Sequence, residues 1–355
     1  MPSAKYRHYG CRITDELIYK GMKTIILENN LIRVGVLVDK GADIFEFIYK
    51  PSDTSFLWES PQGLVDPRKV TPTISNSGGA FLDSYHGGWQ EVLPGGGSVN
   101  YRGADLGLHG EITNLGWEYD ILVDSSDEIS VKFSVNCIRT PFRIERTMRL
   151  LNNNPTLFIQ EKLTNLSPDE QEFMWGHHPA FGAPFLKEGL SLIVPAKTGV
   201  VHTPIFAPSG ILEPGMEFSW PKIEHNNSVL DLSVVPGPDA GFSELIYLKE
   251  LSAGWYAVLD AKEKIGIGLS WDLDIFPYLW FWCVYGKFPG YPWWDRVYCL
   301  ALEPWTSIPN NLNEAISTNR QMKIKGGGSI ITDMSATALH GYSSVSEIQI
   351  DGKVK

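Results

Sequence analysis

Apolar and polar residues alternate with a period of two along much of this chain, and this pattern constrains its fold more than any other feature. It is clearest at residues 142–150 and 157–163, which are separated by an asparagine-rich turn at residues 152–155. Side chains of a strand point alternately to its two faces, so each run predicts a strand with one apolar face. Together the two runs predict an antiparallel hairpin with one face in solvent.

Similar short runs occur near both ends of the sequence, at residues 32–38 and 265–271. No segment shows the long 3.6-residue periodicity of a helix, so we predict an all-β chain of short antiparallel strands. A chain of 355 residues has room for two average domains or one large all-β domain. Because no linker or internal repeat divides it, we predict a single domain over residues 1–355.

Charge and apolar patterning disfavour several classes of partner. The 41 acidic residues outnumber the 30 basic ones and give a formal net charge of -11, which disfavours nucleic acid or an anionic membrane as partner. There is no apolar run of 18 residues and no signal-like start, so we expect a cytoplasmic protein. The four cysteines are far apart and form no CxxC pair, so we expect reduced thiols and no cysteine metal cluster.

Two adjacent histidines, His177 and His178, lie in the segment WGHHPAFG at residues 175–182. Histidine titrates near neutral pH and can donate or accept a proton in an enzyme. Pro179 favours an extended conformation for the residue before it, so His178 is expected on a strand or at its end. Neighbouring strand residues face opposite ways, and we therefore predict one candidate acid, His178, and one packing residue, His177.

A glycine-rich stretch at residues 78–110 contains GGWQEVLPGGG and overlaps the start of LHGEITNLGWEYD at residues 108–120. Glycines permit tight turns, and plain turn formation is one interpretation of them. The other is a loop that brings backbone close to a ligand and presents Trp89, Gln90 and Glu91 between the glycines. His109, between Leu108 and Gly110, is a second histidine of interest.

Six of the 12 tryptophans fall between residues 271 and 305, which makes this segment either core or an aromatic binding surface. Trp280 and Trp282 have strand periodicity. Prolines and glycines interrupt the run before Trp293 and Trp294, so these two are predicted at the surface or in a pocket, where an aromatic ring can stack on a sugar. Glu303 ends an apolar run, where a buried carboxylate needs a partner; a salt bridge to Arg296 is the structural alternative.

Six motifs, in order, resemble the aldose 1-epimerase (galactose mutarotase-like) family: LENNLIRVGVLVDKGADI, GGWQEVLP, LHGEITNLGWEY, RTMRLLNNNPTLFIQEKLTNLS, WGHHPAF and ALEPWTS. The resemblance covers most of the chain. It implies a large β-supersandwich of antiparallel strands, in agreement with the periodicity. It also implies a free aldose as the substrate and no metal or other cofactor.

The resemblance further implies roles for individual residues. His178 corresponds to the general acid, Glu303 to the general base and His109 to a substrate-contacting histidine. Asp239 is the best match for a sugar-binding aspartate. The glycine-rich loop and the interrupted aromatic segment, rather than the resemblance, make Gln90, Trp89 and Trp294 expected sugar contacts. The arginine that many members carry near the HG motif has no clear counterpart here, which leaves the identity of the sugar open.

These residue types suit the interconversion of α and β anomers. A base removes the proton of the anomeric hydroxyl and an acid protonates the ring oxygen, so we expect Glu303 and His178 to face each other across a pyranose. The acidic chain has few basic residues near the candidate segments, which favours a neutral sugar over a phosphorylated one. We expect a monomer or homodimer.

Three other functions use overlapping residue types. A glycoside hydrolase needs two carboxylates, which Glu91 or Glu111 could form with Glu303. A non-catalytic carbohydrate-binding or regulatory homologue needs only the aromatic residues. A metal enzyme using His109, His177 and His178 is disfavoured, because adjacent strand residues diverge and no HExxH spacing is present.

Overall fold

Two large antiparallel sheets dominate the computed structural model, which describes residues 7–69 and 81–355. The first three residues of the glycine-rich stretch, 78–80, lie outside the described residues. This architecture confirms the predicted all-β fold class, and residues 312–317 form a short α-helix, α1 (Leu312–Ser317). Among the described residues no helix has the length and apolar character needed to span a bilayer. The single domain over residues 1–355 stays a prediction.

The larger sheet has 12 strands, in the order β1-β2-β3-β4-β6-β14-β24-β23-β20-β16-β17, with β5 paired to β4. These strands are β1 (Arg12–Tyr19), β2 (Met22–Glu28), β3 (Ile32–Leu37), β4 (Asp43–Tyr49), β5 (Thr54–Ser55), β6 (Trp89–Val92), β14 (Gly176–Gly182), β16 (Thr198–Val201), β17 (Glu217–Ser219), β20 (Phe242–Lys249), β23 (Tyr278–Tyr285) and β24 (Tyr298–Trp305).

The second sheet has eight strands, in the order β15-β21-β22-β26-β12-β11-β10-β9. Its strands are β9 (Glu118–Asp124), β10 (Glu128–Asn136), β11 (Phe142–Leu151), β12 (Thr156–Asn165), β15 (Ser191–Ile193), β21 (Trp255–Asp260), β22 (Ile265–Trp271) and β26 (Ser329–His340). Three small two-stranded pairs complete the described strands: β7 (Val99–Tyr101) with β8 (Ala104–Leu106), β13 (Gln171–Phe173) with β25 (Met322–Ile324), and β18 (Lys222–His225) with β19 (Ser228–Asp231).

The predicted hairpin is confirmed as β11 and β12, which pair in antiparallel register. Along β11 every second residue is fully buried and the intervening residues are half-buried, as the alternation requires. The buried side chains meet those of β2, β3 and β4 in one continuous apolar core between the two sheets. The core therefore covers the inner face of the 12-stranded sheet.

A second apolar cluster covers the outer face of the same sheet. It joins Ala180 of β14, Ala301 of β24 and Trp282 of β23 to side chains from the connecting loops, among them Trp58 and Trp293. Loops thus close over the outer face, and the space left beneath them is the candidate functional site.

Candidate functional site

One row of side chains crosses the outer face of the 12-stranded sheet. His178 on β14 pairs with Gln90 on β6. The antiparallel register of β14 and β24 places His178 directly opposite Glu303, and Glu303 pairs in turn with Trp280 on β23. Directly opposed residues of an antiparallel pair share a face, so four strands contribute to one continuous row.

His178 and Glu303, which we call the His–Glu pair, are in contact in this row. Nε2 of His178 lies 3.4 Å from Oε1 of Glu303. The Tyr85 hydroxyl lies 3.3 Å from Nδ1 of His178, and the Trp305 indole N–H donates to Oε2 of Glu303 at 2.9 Å. The structural alternative, a salt bridge of Glu303 to Arg296, is not its arrangement here, because the Glu303 oxygens contact an imidazole and an indole.

Burial sets the protonation of the His–Glu pair. His178 is 5% exposed and Glu303 is 2% exposed. Burial raises the pKa of Glu303 to about 8, against the opposing effect of the Trp305 hydrogen bond, and lowers the pKa of His178 to about 4. Near pH 7 both groups are therefore neutral, and transfer of the carboxyl proton to Nε2 converts them to an ion pair without any exchange with solvent.

His109 adds a further polar side chain to this site from a loop. Its ring centre lies 5.1 Å from that of His178 and 4.3 Å from that of Phe81. The backbone at His109 is left-handed, with φ of 61°, and its N–H donates to the Gly96 carbonyl at 2.7 Å. Burial, together with nearby His178 and Lys40, holds the pKa of His109 well below its usual value. It is therefore a neutral ring, able to donate one hydrogen bond and accept another.

The pocket above the His–Glu pair encloses about 750 Å³, its open mouth included. A concave, largely apolar lining with a few polar groups is typical of small-molecule sites. Its polar side chains are His109, His178, Glu303 and Asn310, together with the Tyr85 hydroxyl that contacts His178. The other described lining residues are glycine, proline or apolar, including Trp280, Trp282, Trp293, Phe206 and Phe288.

Trp280 lies next to Glu303 in the row and packs against Trp305. Its ring stacks on Trp305 with centres 3.9 Å apart and an interplanar angle of 10°, and its N–H donates to the Ser307 carbonyl at 3.0 Å. Because Trp305 donates to Glu303, this stack fixes the direction in which the carboxyl group points. Trp282 lies on the same face, with its ring centre 5.5 Å from that of His178.

The opposite face of the same strands carries a polar group of a different kind. His177 points into the space between the sheets, where its Nε2 lies 3.0 Å from Oε2 of Glu161 and its Nδ1 accepts from the Trp89 indole at 3.2 Å. Arg146 of β11 lies 3.3 Å from Glu91. We call Glu91, Arg146, Glu161 and His177 the interior cluster; all four are at most 1% exposed.

Glu91, Glu161 and His177 bring potential metal ligands within 4.8 Å of one another. Their geometry does not fit an added cation well. The Arg146 guanidinium already faces Glu91, and the Trp175 indole donates to Glu91 at 2.7 Å. Since Nδ1 of His177 accepts from Trp89, its Nε2 carries the proton towards Glu161. The positive charge that a metal would supply is thus provided by arginine.

Three expected sugar contacts lie outside the pocket. Trp89 is 1% exposed and packs between the sheets, so the expectation that it contacts a sugar is wrong, because alternation along β6 sends it to the inner face. Asp239 lies on an exposed 3₁₀ turn (Pro238–Ala240). Trp294 is 61% exposed, and its neighbour Trp293 lines the pocket instead.

Gln90 and Glu111 also have structural partners. Gln90 stands beside His178 in the row but is fully buried, and its amide donates to Oδ2 of Asp43 at 3.2 Å. Lys40 binds the same carboxylate oxygen at 2.7 Å. Glu111 accepts the backbone N–H groups of residues 138–140 and the Thr140 hydroxyl, which makes it an anchor for that turn.

Comparison with known protein families identifies the family of this chain. A family model described as a domain of unknown function (DUF4432) matches residues 19–337. The chain belongs to the DUF4432 family. No functionally curated protein matches the DUF4432 chain significantly.

Solved structures share its fold. One is a proposed aldose 1-epimerase from Klebsiella pneumoniae subsp. pneumoniae, with a TM-score of 0.74 and 18% identity over 95% of this chain and 85% of that one. Another is a galactose mutarotase-like protein from Clostridium acetobutylicum, with a TM-score of 0.66 and 16% identity over 93% of this chain and 99% of that one. The DUF4432 chain therefore has the galactose mutarotase-like fold.

Proposed function

We propose that this DUF4432 protein is an aldose 1-epimerase that interconverts the α and β anomers of a free, neutral aldopyranose. The observation that carries the proposal is the His–Glu pair, buried at the floor of an aromatic pocket with 3.4 Å between Nε2 of His178 and Oε1 of Glu303. A proton donor and a proton acceptor in contact are what anomer exchange requires.

The side-by-side arrangement suits the substrate better than the expected one across the ring. O1 and O5 of an aldopyranose are both bonded to C1, so groups that act on them must be neighbours. Directly opposed residues of an antiparallel strand pair supply that spacing. In this proposal Glu303 acts on O1 and His178 acts on O5 of one anomeric centre.

Proton transfer then balances within the pair. In its ion-pair form the His178 imidazolium protonates O5 while the Glu303 carboxylate takes the O1 proton, and the C1–O5 bond breaks to give the open-chain aldehyde. Rotation about C1–C2 presents the other carbonyl face. Ring closure returns the O5 proton to His178 and the Glu303 proton to O1, so the pair ends as it began.

The pocket lining supports a neutral sugar. None of its described lining residues is lysine or arginine, the side chains that usually bind phosphate. The walls offer Trp280, Trp282 and Trp293 as flat apolar surfaces for the C–H groups of a pyranose.

The residues considered for a glycoside hydrolase do not support that alternative. Glu91 lies on the inner sheet face with Arg146, and Glu111 binds the 138–140 turn. Neither carboxylate faces Glu303 across the pocket. A non-catalytic sugar-binding protein would use the same aromatic walls, and activity separates it from an epimerase.

Polarimetry on freshly dissolved single anomers of a panel of aldoses tests the proposal. We expect the protein to accelerate the approach to anomeric equilibrium for at least one sugar. Glu303→Gln keeps the shape of the side chain and removes the base, so the rate should fall on the order of 10²-fold or more. Binding without acceleration, or full activity in Glu303→Gln, contradicts the proposed function.

A further inference from the structure

Three other aromatic rings hold the ring of Tyr85 in place. Phe81 stacks on it with ring centres 5.1 Å apart and an interplanar angle of 26°, and Trp58 and Trp293 meet it edge-on at 5.7 Å and 5.9 Å. The whole residue is only 2% exposed. These contacts leave the ring little freedom, and its hydroxyl group lies 3.3 Å from Nδ1 of His178.

The distance between Tyr85 and His178 does not by itself say which of them donates. A neutral imidazole carries one proton, on Nδ1 or on Nε2, and the hydrogen bond made by one nitrogen sets the state of the other. A tyrosine hydroxyl can donate or accept, so it suits either tautomer. The direction of the Tyr85 hydrogen bond therefore depends on what Nε2 contacts on the other side of the imidazole ring.

Nε2 of His178 faces the carboxyl group of Glu303. The described contacts of that carboxyl group are the imidazole and the Trp305 indole, and none of the described residues that line the pocket is lysine or arginine. Burying a net charge without a counter-ion is costly, so the His–Glu pair is most stable with zero net charge. Two states satisfy this condition: a carboxyl group beside a neutral imidazole, and a carboxylate beside an imidazolium.

Both of these states place a proton on Nδ1 of His178. In the first state the Glu303 carboxyl group donates to Nε2, because the Trp305 indole can donate but cannot accept, and Nδ1 then carries the imidazole proton. In the second state both ring nitrogens are protonated. The Tyr85 oxygen is therefore an acceptor before and after proton transfer, so the transfer requires no reorientation of Tyr85.

We propose that Tyr85 is a positioning residue for the His–Glu pair: its hydroxyl oxygen accepts the Nδ1–H of His178 and thereby keeps Nε2 as the nitrogen that exchanges a proton with Glu303 and the sugar. The same hydrogen bond stabilises the imidazolium, because a charged donor forms a stronger hydrogen bond than a neutral one. The inference rests on the proposed function for its effect on the rate, whereas the tautomer of His178 is a property of the protein without sugar.

Nitrogen-15 NMR of histidine-labelled protein without sugar, at pH 7, measures this tautomer directly. The signals of His178 are identified by their loss in His178→Ala. In the wild-type protein we expect a proton on Nδ1. In Tyr85→Phe the Nδ1–H loses its acceptor, so the share of the tautomer protonated on Nε2 should rise. A wild-type His178 that carries its only proton on Nε2 overturns the proposal.

Tyr85→Phe keeps the aromatic ring in the pocket lining and removes only the hydroxyl group. We expect kcat for anomer interconversion to fall roughly 10- to 100-fold, as for the loss of a hydrogen bond to a charged group, with little change in KM. Tyr256→Phe is the matched control, because Tyr256 is fully buried on β21 and its hydroxyl has no hydrogen bond among the described residues. It should leave kcat and the tautomer of His178 unchanged.

The two measurements separate this proposal from the proposed function. The expected tautomers in the wild-type protein and in Tyr85→Phe, without any anomer interconversion, would refute the epimerase assignment and support the role of the Tyr85 hydroxyl. An unchanged tautomer in Tyr85→Phe overturns that role whatever the rates, and a loss of rate with an unchanged tautomer would assign the hydroxyl to the sugar instead. An unchanged kcat in Tyr85→Phe overturns the role as well.

Discussion

His177 and His178 are neighbours in the chain, yet they lie in two regions of opposite chemistry. On the inner face both ring nitrogens of His177 have partners, at 3.0 Å and 3.2 Å, within the interior cluster. On the outer face His178 has looser contacts, at 3.3 Å to Tyr85 and 3.4 Å to Glu303. One strand thus joins the two sheets through its inner face and lines the pocket with its outer face.

The two regions also differ in how charge is balanced. Burial raises the pKa of Glu91 to about 8, and nearby Glu161 adds to this effect, but the Arg146 guanidinium opposes it. Glu303 has the same pKa of about 8 with only an indole hydrogen bond against burial. The interior carboxyl groups therefore have a cation beside them, whereas the carboxyl group of Glu303 has only an indole and a neutral imidazole.

The largest effect should come from removing the interior cation. Arg146→Met leaves buried carboxylates without their counter-ion, and breaking such an arrangement costs about 3–5 kcal/mol of unfolding free energy. Urea unfolding at pH 7 measures it. Arg143→Met is the matched control on the same strand, where the side chain is half-exposed and its loss should cost less than about 1 kcal/mol.

Equal destabilisation by both arginine variants would mean that the interior cluster is not what joins the sheets. A stable Arg146→Met with an altered pH dependence of unfolding would point instead to carboxyl groups that share a proton without needing the cation.

The next largest effect separates the two histidines. His178→Ala should lower kcat/KM on the order of 10²-fold or more with little change in melting temperature. His177→Ala should lower the unfolding free energy by about 1–3 kcal/mol, because Glu161 and Trp89 lose a partner, while the folded fraction keeps its activity. Melting and anomer interconversion are measured on both proteins.

Equal loss of activity at equal stability would show that both rings act on the sugar, against the strand geometry. A strong loss of melting temperature in His178→Ala would show that the pocket residue also supports packing.

Periodicity predicted much of this architecture because it depends only on local alternation. It yielded the β11–β12 hairpin and the opposite orientations of His177 and His178. The same rule, applied to residues 89–91, would have sent Trp89 inward and Gln90 outward. The flanking glycines favoured the prediction of a loop at these residues, so the short strand β6 was not predicted.

Other parts of the site depend on contacts between distant segments. Tyr85 reaches His178 across 93 positions of the chain, and no local pattern marks it. Phe206 comes to the pocket from a loop that precedes β20 by more than 30 residues. Trp293 and Trp294 are adjacent, and no sequence pattern distinguishes them. The backbone turn places Trp293 in the pocket lining and Trp294 in solvent.

The smallest predicted effect is a gradual change of kcat/KM with pH. Its measurement tests which face of the sheet controls catalysis. Under the proposed function the His–Glu pair is active while it holds one transferable proton, between the pKa of His178 at about 4 and that of Glu303 at about 8. Below about pH 4 the pair gains a second proton and has no base; above about pH 8 it loses its proton and has no acid. Activity should therefore be flat between these limits and fall about tenfold for each pH unit beyond them. His177→Ala should leave both limits in place, whereas the residual activity of Glu303→Gln should lose the alkaline limit. Limits that move in His177→Ala would assign them to the interior cluster and reverse the division of labour between the two faces.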